Sequence, residues 1–158
     1  YVLDSGNRRV QVFDQRLQPL QDEFTSAELT ETPTSFTVIP GEAVVVLDYI
    51  GEQILSFDIN RPGAPPTIID LPTALGGKSI ADVTYAELKG DEYLAFVLDS
   101  DHQVVLADPE TNSVAATLGR RGTEAGTFNE PIQVRFAGGQ LMVLERGNNR
   151  LQVIRDVP

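Results

Sequence analysis

Four acidic residues recur at one position in similar stretches of the chain: Asp4, Asp48, Asp99 and Glu145, at spacings of 44, 51 and 46 residues. Carboxylates supply the oxygen ligands that a hard cation such as Ca²⁺ takes, so a ring of them aimed inward would make a metal site. A second reading carries more weight. A residue repeated in every unit belongs to the unit, and an acid at a strand end accepts backbone N–H groups from the turn that follows. Catalysis, by contrast, needs different groups in different places. No cofactor is therefore expected, with Ca²⁺ at these four acids as the alternative.

Other chemistry-bearing residues are sparse. His102 is the single histidine, whereas a catalytic zinc takes three protein ligands dominated by His or Cys. It falls in a loop tip, where a solvated side chain is the expectation. The chain has no cysteine, which excludes disulfides, thiolate metal sites and cysteine nucleophiles. Neither a Gly-x-Ser-x-Gly elbow nor a phosphate-binding loop occurs, since Gly76-Gly77-Lys78-Ser79 lacks the upstream glycine and the strand-loop-helix setting. Catalytic residues are not assigned. Arg120 and Arg121 form the densest basic spot, read as a solvated connecting loop, with a phosphate or RNA contact as the alternative. Tyr49 and Ile50 are apolar at a loop position where other units carry Ser5-Gly6 or Arg146-Gly147. They mark either a contact surface or packing under an adjacent loop.

The elements that position these residues follow from an internal repeat. Val2–Asp14, Val46–Asp58, Val97–Asp108 and Val143–Asp156 each hold an apolar pair, an acid, a short polar loop and a second apolar run. Apolar residues alternate or form short β-branched runs, as in Val10, Val12 and Phe13, and no 3.6-residue period is sustained. Gly, Pro and Asn punctuation separates the strands, placing the third unit's at 81–89, 93–99, 103–107 and 113–118. Four-stranded antiparallel units repeating at this period are blades of a β-propeller, an all-β fold. The expected division is a partial blade at 1–30, blades at 31–75 and 76–120, and a partial blade at 121–158. An incomplete ring is expected, closed by further sequence or a second chain, because open blade edges are not tolerated.

Composition bounds the partners. Twelve Lys and Arg against twenty-three Asp and Glu leave a net charge of −11, a field that repels polyanions, so nucleic acid is an unexpected partner. No apolar run reaches the length of a membrane helix. Tyr1 reads as the interior of a strand, so the chain is expected to begin partway through a longer product. An acidic, cysteine-free, strand-rich chain with two lysines favours an extracytoplasmic location.

The stretch Gly119-Arg120-Arg121-Gly122-Thr123-Glu124-Ala125-Gly126-Thr127-Phe128-Asn129-Glu130-Pro131, with Leu144-Glu145-Arg146-Gly147-Asn148-Asn149-Arg150-Leu151-Gln152-Val153 after the next strand, resembles an NHL repeat. The opening Val2-Leu3-Asp4-Ser5-Gly6-Asn7-Arg8-Arg9-Val10-Gln11-Val12-Phe13 is similar to the second half of such a blade. The middle units depart from it around Tyr49-Ile50-Gly51-Glu52 and Ser100-Asp101-His102, where the Gly-Asn and Arg are missing. The resemblance implies a ring of about six blades, and a binding platform for protein or RNA, while relatives with similar blades are lyases or hydrolases with a channel metal. The expected function is a non-catalytic scaffold that binds protein through loops on one face. Candidate binding residues are Tyr49, Ile50, His102, Arg120, Arg121, Arg146 and Asn149. Asn149 and Arg150, like Asn7 with Arg8 or Arg9, are expected to shape the turn, Asn through a left-handed backbone and Arg by reaching an acid. The alternative is a metal-dependent hydrolase, lactonase or lyase whose channel site lies in other blades.

Overall fold

The computed structural model describes residues 1–29, 33–48, 53–70, 72–155 and 157. They form two compact units, residues 1–70 and 71–158. Every sheet is an antiparallel meander in which strands adjacent in sequence pair.

In the first unit, β1 (Val2–Asp4), β2 (Arg9–Phe13) and β3 (Pro19–Thr25) make a three-stranded sheet. The strands β4 (Pro33–Ile39), β5 (Ala43–Asp48), β6 (Gln53–Asp58) and β7 (Thr67–Asp70) make a four-stranded one. Period-two alternation sends Val10 and Phe24 to one face of the first sheet, and Val44, Val46, Leu55 and Phe57 to one face of the second; these share a core with Leu29. The Phe24 and Phe57 rings meet at 5.9 Å with a 57° tilt, a geometry that aromatic pairs favour. All six residues of β5 are buried, which is why Ala-Val-Val-Val-Leu-Asp reads as a continuous apolar run rather than an alternation.

The second unit repeats the plan. Four strands, β8 (Ile80–Leu88), β9 (Asp91–Leu98), β10 (Gln103–Asp108) and β11 (Ser113–Leu118), form one sheet. Three strands, β12 (Pro131–Ala137), β13 (Gln140–Glu145) and β14 (Arg150–Ile154), form the other. Ala95, Val97, Val104 and Leu106 pack with Val134, Leu141 and Val143, and Phe128 of the connecting loop fills the same core. The opposite face of the three-stranded sheet carries Leu144, Leu151 and Val153, which are 37%, 57% and 45% exposed. The four strands expected for the third repeat unit are present in that order as β8 to β11. Their ends move by one or two residues, as with β9, which starts at Asp91 because the Lys89-Gly90 turn is tight.

A register shift recurs near the start of the first strand of three sheets, at Pro33/Ser35, Ile80/Asp82 and Pro131/Gln133. Such bulges twist and re-aim a strand. A second local constraint lies at Gly119, whose φ is +82° and where a Cβ would stand 2.2 Å from the Phe128 ring. Only glycine combines that backbone with that approach.

Truncating Phe128 to Ala is expected to cost roughly 3 to 5 kcal/mol through the cavity left in the core. Gly119→Ala should cost more than about 1 kcal/mol. Urea unfolding midpoints with an unchanged slope check both.

The loop end of the blades as candidate functional site

The repeated acids end β1, β5 and β13 at Asp4, Asp48 and Glu145, and Asp99 follows the last residue of β9; the loop into the next strand starts there. In the first unit the Asp4 carboxylate accepts hydrogen bonds from Asn7 Nδ2 at 2.8 Å and Arg9 Nε at 3.1 Å, and Arg9 reaches on to Glu23 at 2.8 Å. Those bonds, that of Asn7 first, hold the Asp4 carboxyl below its usual range. Arg8 sits at φ 55°, taking the left-handed position expected of an asparagine.

Glu145 repeats this arrangement in the second unit and extends it. Its carboxylate is 1% exposed and accepts from Arg150 Nε (2.6 Å), Asn148 Nδ2 (2.6 Å), Gln152 Nε2 (2.7 Å) and the Asn129 backbone N–H (2.8 Å). Burial weighs most against the charge, yet the bonds from Arg150, Asn129, Gln152 and Asn148 together outweigh it and hold the carboxyl below the usual glutamate range. Asn148 bonds the acid, whereas Asn149 is the left-handed residue at φ 49°. Asn149 takes the left-handed backbone and Arg150 reaches the acid, as expected, while Asn148 adds a bond to the acid that the sequence reading did not assign.

The same side chains tie down the connector 119–130. Arg150 donates to the carbonyls of Thr123, Glu124 and Thr127, Gln152 to that of Thr127, and Asn148 to that of Gly122. Phe128 N–H donates to the Arg120 carbonyl and Gly122 N–H to that of Phe128, closing the loop on itself. On this framework Arg120 and Arg121 are exposed, and Arg146 holds Glu130 at 3.0 Å with both side chains largely in solvent. That surface ion pair contributes less than about 1 kcal/mol.

His102 departs from the expected solvated tip. It is partly buried at φ 58°, and its Nδ1 accepts the Glu130 backbone N–H at 3.0 Å, joining the loop after β9 to the connector. The contact spans 28 residues, so local sequence holds no sign of it. The middle acids differ from the outer two. Asp48 is fully buried and engaged, and Tyr49 and Ile50 beside it lie outside the described residues. Asp99 has neither the Asn nor the Arg of the outer units, and its buried Oδ1 has no hydrogen-bond donor among the described residues. Among the described residues, no group of three or more His, Cys, Asp or Glu stands where a metal ion could be held. No described helix is long and apolar enough to cross a membrane.

A second set of acids closes the repeat segments at the opposite strand ends. Asp14 Oδ1 accepts the N–H groups of Arg16 and Gln18. Asp58 accepts the Asn60 N–H and Arg61 Nε, and Asp108 Oδ1 the N–H groups of Glu110 and Thr111. The Arg61 bond first holds the Asp58 carboxyl, and the Thr111 backbone bond first holds the Asp108 carboxyl, below the ordinary range. Beside them lie clefts of about 460 Å³, lined by Asp91, Glu92, Tyr93, Asp108 and Glu110, and of about 360 Å³, lined by Glu42, Ser56, Asp58, Asn60 and Thr67.

The sequence matches no model of a known protein family and no curated protein. In structure the chain is similar to a streptogramin B lyase, at 13% identity and TM-score 0.55 over 98% of this chain and 49% of that one. It is similar to the glutaminyl cyclase of Myxococcus xanthus, at 9% identity and TM-score 0.57 over 80% and 48%. It is also similar to BBS1N in complex with ARL6DN, at 12% identity and TM-score 0.55 over 92% and 45%. The chain spans about half the length of these structures. Likeness at such identities shows the fold alone, an all-β propeller fold built of antiparallel blades.

Glu145→Gln is expected to cost about 2 to 3 kcal/mol at pH 7, the worth of charge-assisted bonds to a buried group. Because the folded carboxyl titrates below its unfolded value, this contribution is present above pH ~4.3 and is lost as pH falls through the folded value. The gap between wild type and variant in urea unfolding should therefore be full at pH 7 and shrink progressively as pH falls below ~4.3, the unfolded value. Asp99→Asn, which removes an acceptor that has no donor, should cost less than about 1 kcal/mol in the same assay.

Proposed function

We propose that the chain belongs to a non-catalytic, NHL-like propeller that binds a protein partner through the loop end of its blades. The observation that carries this reading is the connector 119–130, whose backbone is tied by Arg150, Asn148, Gln152 and the Asn129–Glu145 bond while Arg120 and Arg121 are exposed on its surface. A loop pre-organised in this way gives up little conformational entropy on binding. Its side chains are presented by a framework rather than by a floppy segment. BBS1N, one structure of similar fold, is described in complex with ARL6DN, which supports a docking role for blades of this kind. Further blades, from the same chain or another, would cover the Leu144, Leu151 and Val153 face and complete the ring.

A second reading rests on the lyase and the cyclase among the similar structures. On that reading the chain is part of a metal-dependent hydrolase, lactonase or lyase whose ligands lie mostly in other blades.

A photo-crosslinking residue tests the first reading when placed at Arg121, with Glu110 at the hairpin end as the control. A single defined protein adduct is expected from position 121 and none from 110. Arg120→Glu together with Arg121→Glu should weaken capture at least tenfold, about 1.4 kcal/mol, at an unchanged unfolding midpoint. Adducts from position 110 alone, or capture indifferent to both charge reversals, would contradict it.

A further inference from the structure

The seam between β8 and β12 holds a charged pair that neither the blade repeat nor the loop end accounts for. Asp82 is 4% exposed and uses Oδ2 twice, accepting the Val134 backbone N–H at 2.9 Å and Arg135 Nη1 at 2.6 Å. Among the described residues β12 pairs with β13 alone, and Val134 gives its N–H to Asp82, so the contact lies on the edge of β12 away from β13. β8 is likewise the edge of its own sheet. The two edges meet through a carboxylate where a sheet would otherwise continue by backbone bonds.

The pair also departs from the repeat. The residue after the bulge in each first strand is Ser35, Asp82 or Gln133, three chemistries at one position. Structural residues repeat, as the acids at the strand ends do, whereas recognition groups differ from blade to blade.

Arg135 is aimed rather than consumed. Its Nη1 is fixed by Asp82 and by the Val134 carbonyl at 2.6 Å, yet its side chain remains 49% exposed. Arg150, by comparison, commits Nε, Nη1 and Nη2 to protein acceptors. The Nε and Nη2 donors of Arg135 make no hydrogen bond within the described residues. A guanidinium held at one corner by a buried carboxylate keeps the planar fork that matches an oxyanion.

We infer that Asp82 and Arg135 form an anion-recognition site on the edges of β8 and β12, with Arg135 as the binding group, Asp82 as its positioning residue and a small organic carboxylate as the ligand class. The site is separate from the loop end and stands whether or not that end docks a protein.

The test titrates the 158-residue chain with sodium acetate, using sodium chloride at equal ionic strength as the control, and follows arginine side-chain N–H resonances by NMR. One Nε–H resonance, lost in Arg135→Gln, is expected to shift saturably in the millimolar range with acetate and not with chloride. Arg135→Lys retains the charge and loses the fork, so it should bind acetate about tenfold more weakly while giving a native backbone spectrum. Asp82→Asn should weaken binding by a similar factor through loss of aim, an effect that a latch with no ligand would not produce. A shift that never saturates, equal shifts with chloride, or acetate binding unchanged in Arg135→Lys would overturn the assignment.

Discussion

A charge at 1% exposure is tolerated only where protein donors replace water, and Glu145 receives four of them. Those donors come from two directions. Asn148, Arg150 and Gln152 belong to the hairpin that Glu145 itself begins, and Asn129 belongs to the connector that enters the sheet. One carboxylate therefore sets the turn, holds the loop that precedes the sheet and seats Phe128 in the core below. Asp4 does the first of these with Asn7 and Arg9, and its bonds end within its own sheet at Glu23.

Where that pin is incomplete, the blade uses other means. The loop after β9 lacks the Asn and the Arg, leaves Asp99 Oδ1 without a donor, and is tied to the connector through His102 instead. The seam between β8 and β12 likewise departs from the pattern, with Asp82, bonded to Arg135, standing where another first strand carries Ser35. A repeat protein gains stability from positions that agree and selectivity from positions that do not. Both kinds occur within the second unit, a few residues apart along the chain.

The architecture was legible because blades are built from local signals. Short β-branched runs and glycine and proline breaks are read within a few residues of each strand, the recurring acid then sets the phase of the repeat, and the strands fall where those signals put them. The site was legible only in outline. Asp4 and Glu145 stand out by repetition, and their role follows from neighbours three and five residues on. Which asparagine bonds the acid, Asn148 or Asn149, depends on one left-handed residue that the Asn-Asn pair itself does not specify. His102 with Glu130, and Asp82 with Arg135 across 53 residues, arise from sheets meeting, and nothing local announces them. Asp14, Asp58 and Asp108 were visible in the repeat, but an acid after an apolar strand looks like an ordinary turn residue, which is the role the structure gives them.

The central claim is that a buried carboxylate holds the connector in place, and the Asn129 backbone N–H is its most direct reporter. Native-state hydrogen exchange followed by NMR reads that amide individually. The account predicts that Asn129 exchanges as slowly as the amides of β13, far more slowly than those of Thr123 or Ala125 in the same connector, because opening it requires breaking the bond to Glu145. Exchange of Asn129 at the rate of its exposed neighbours would contradict the account.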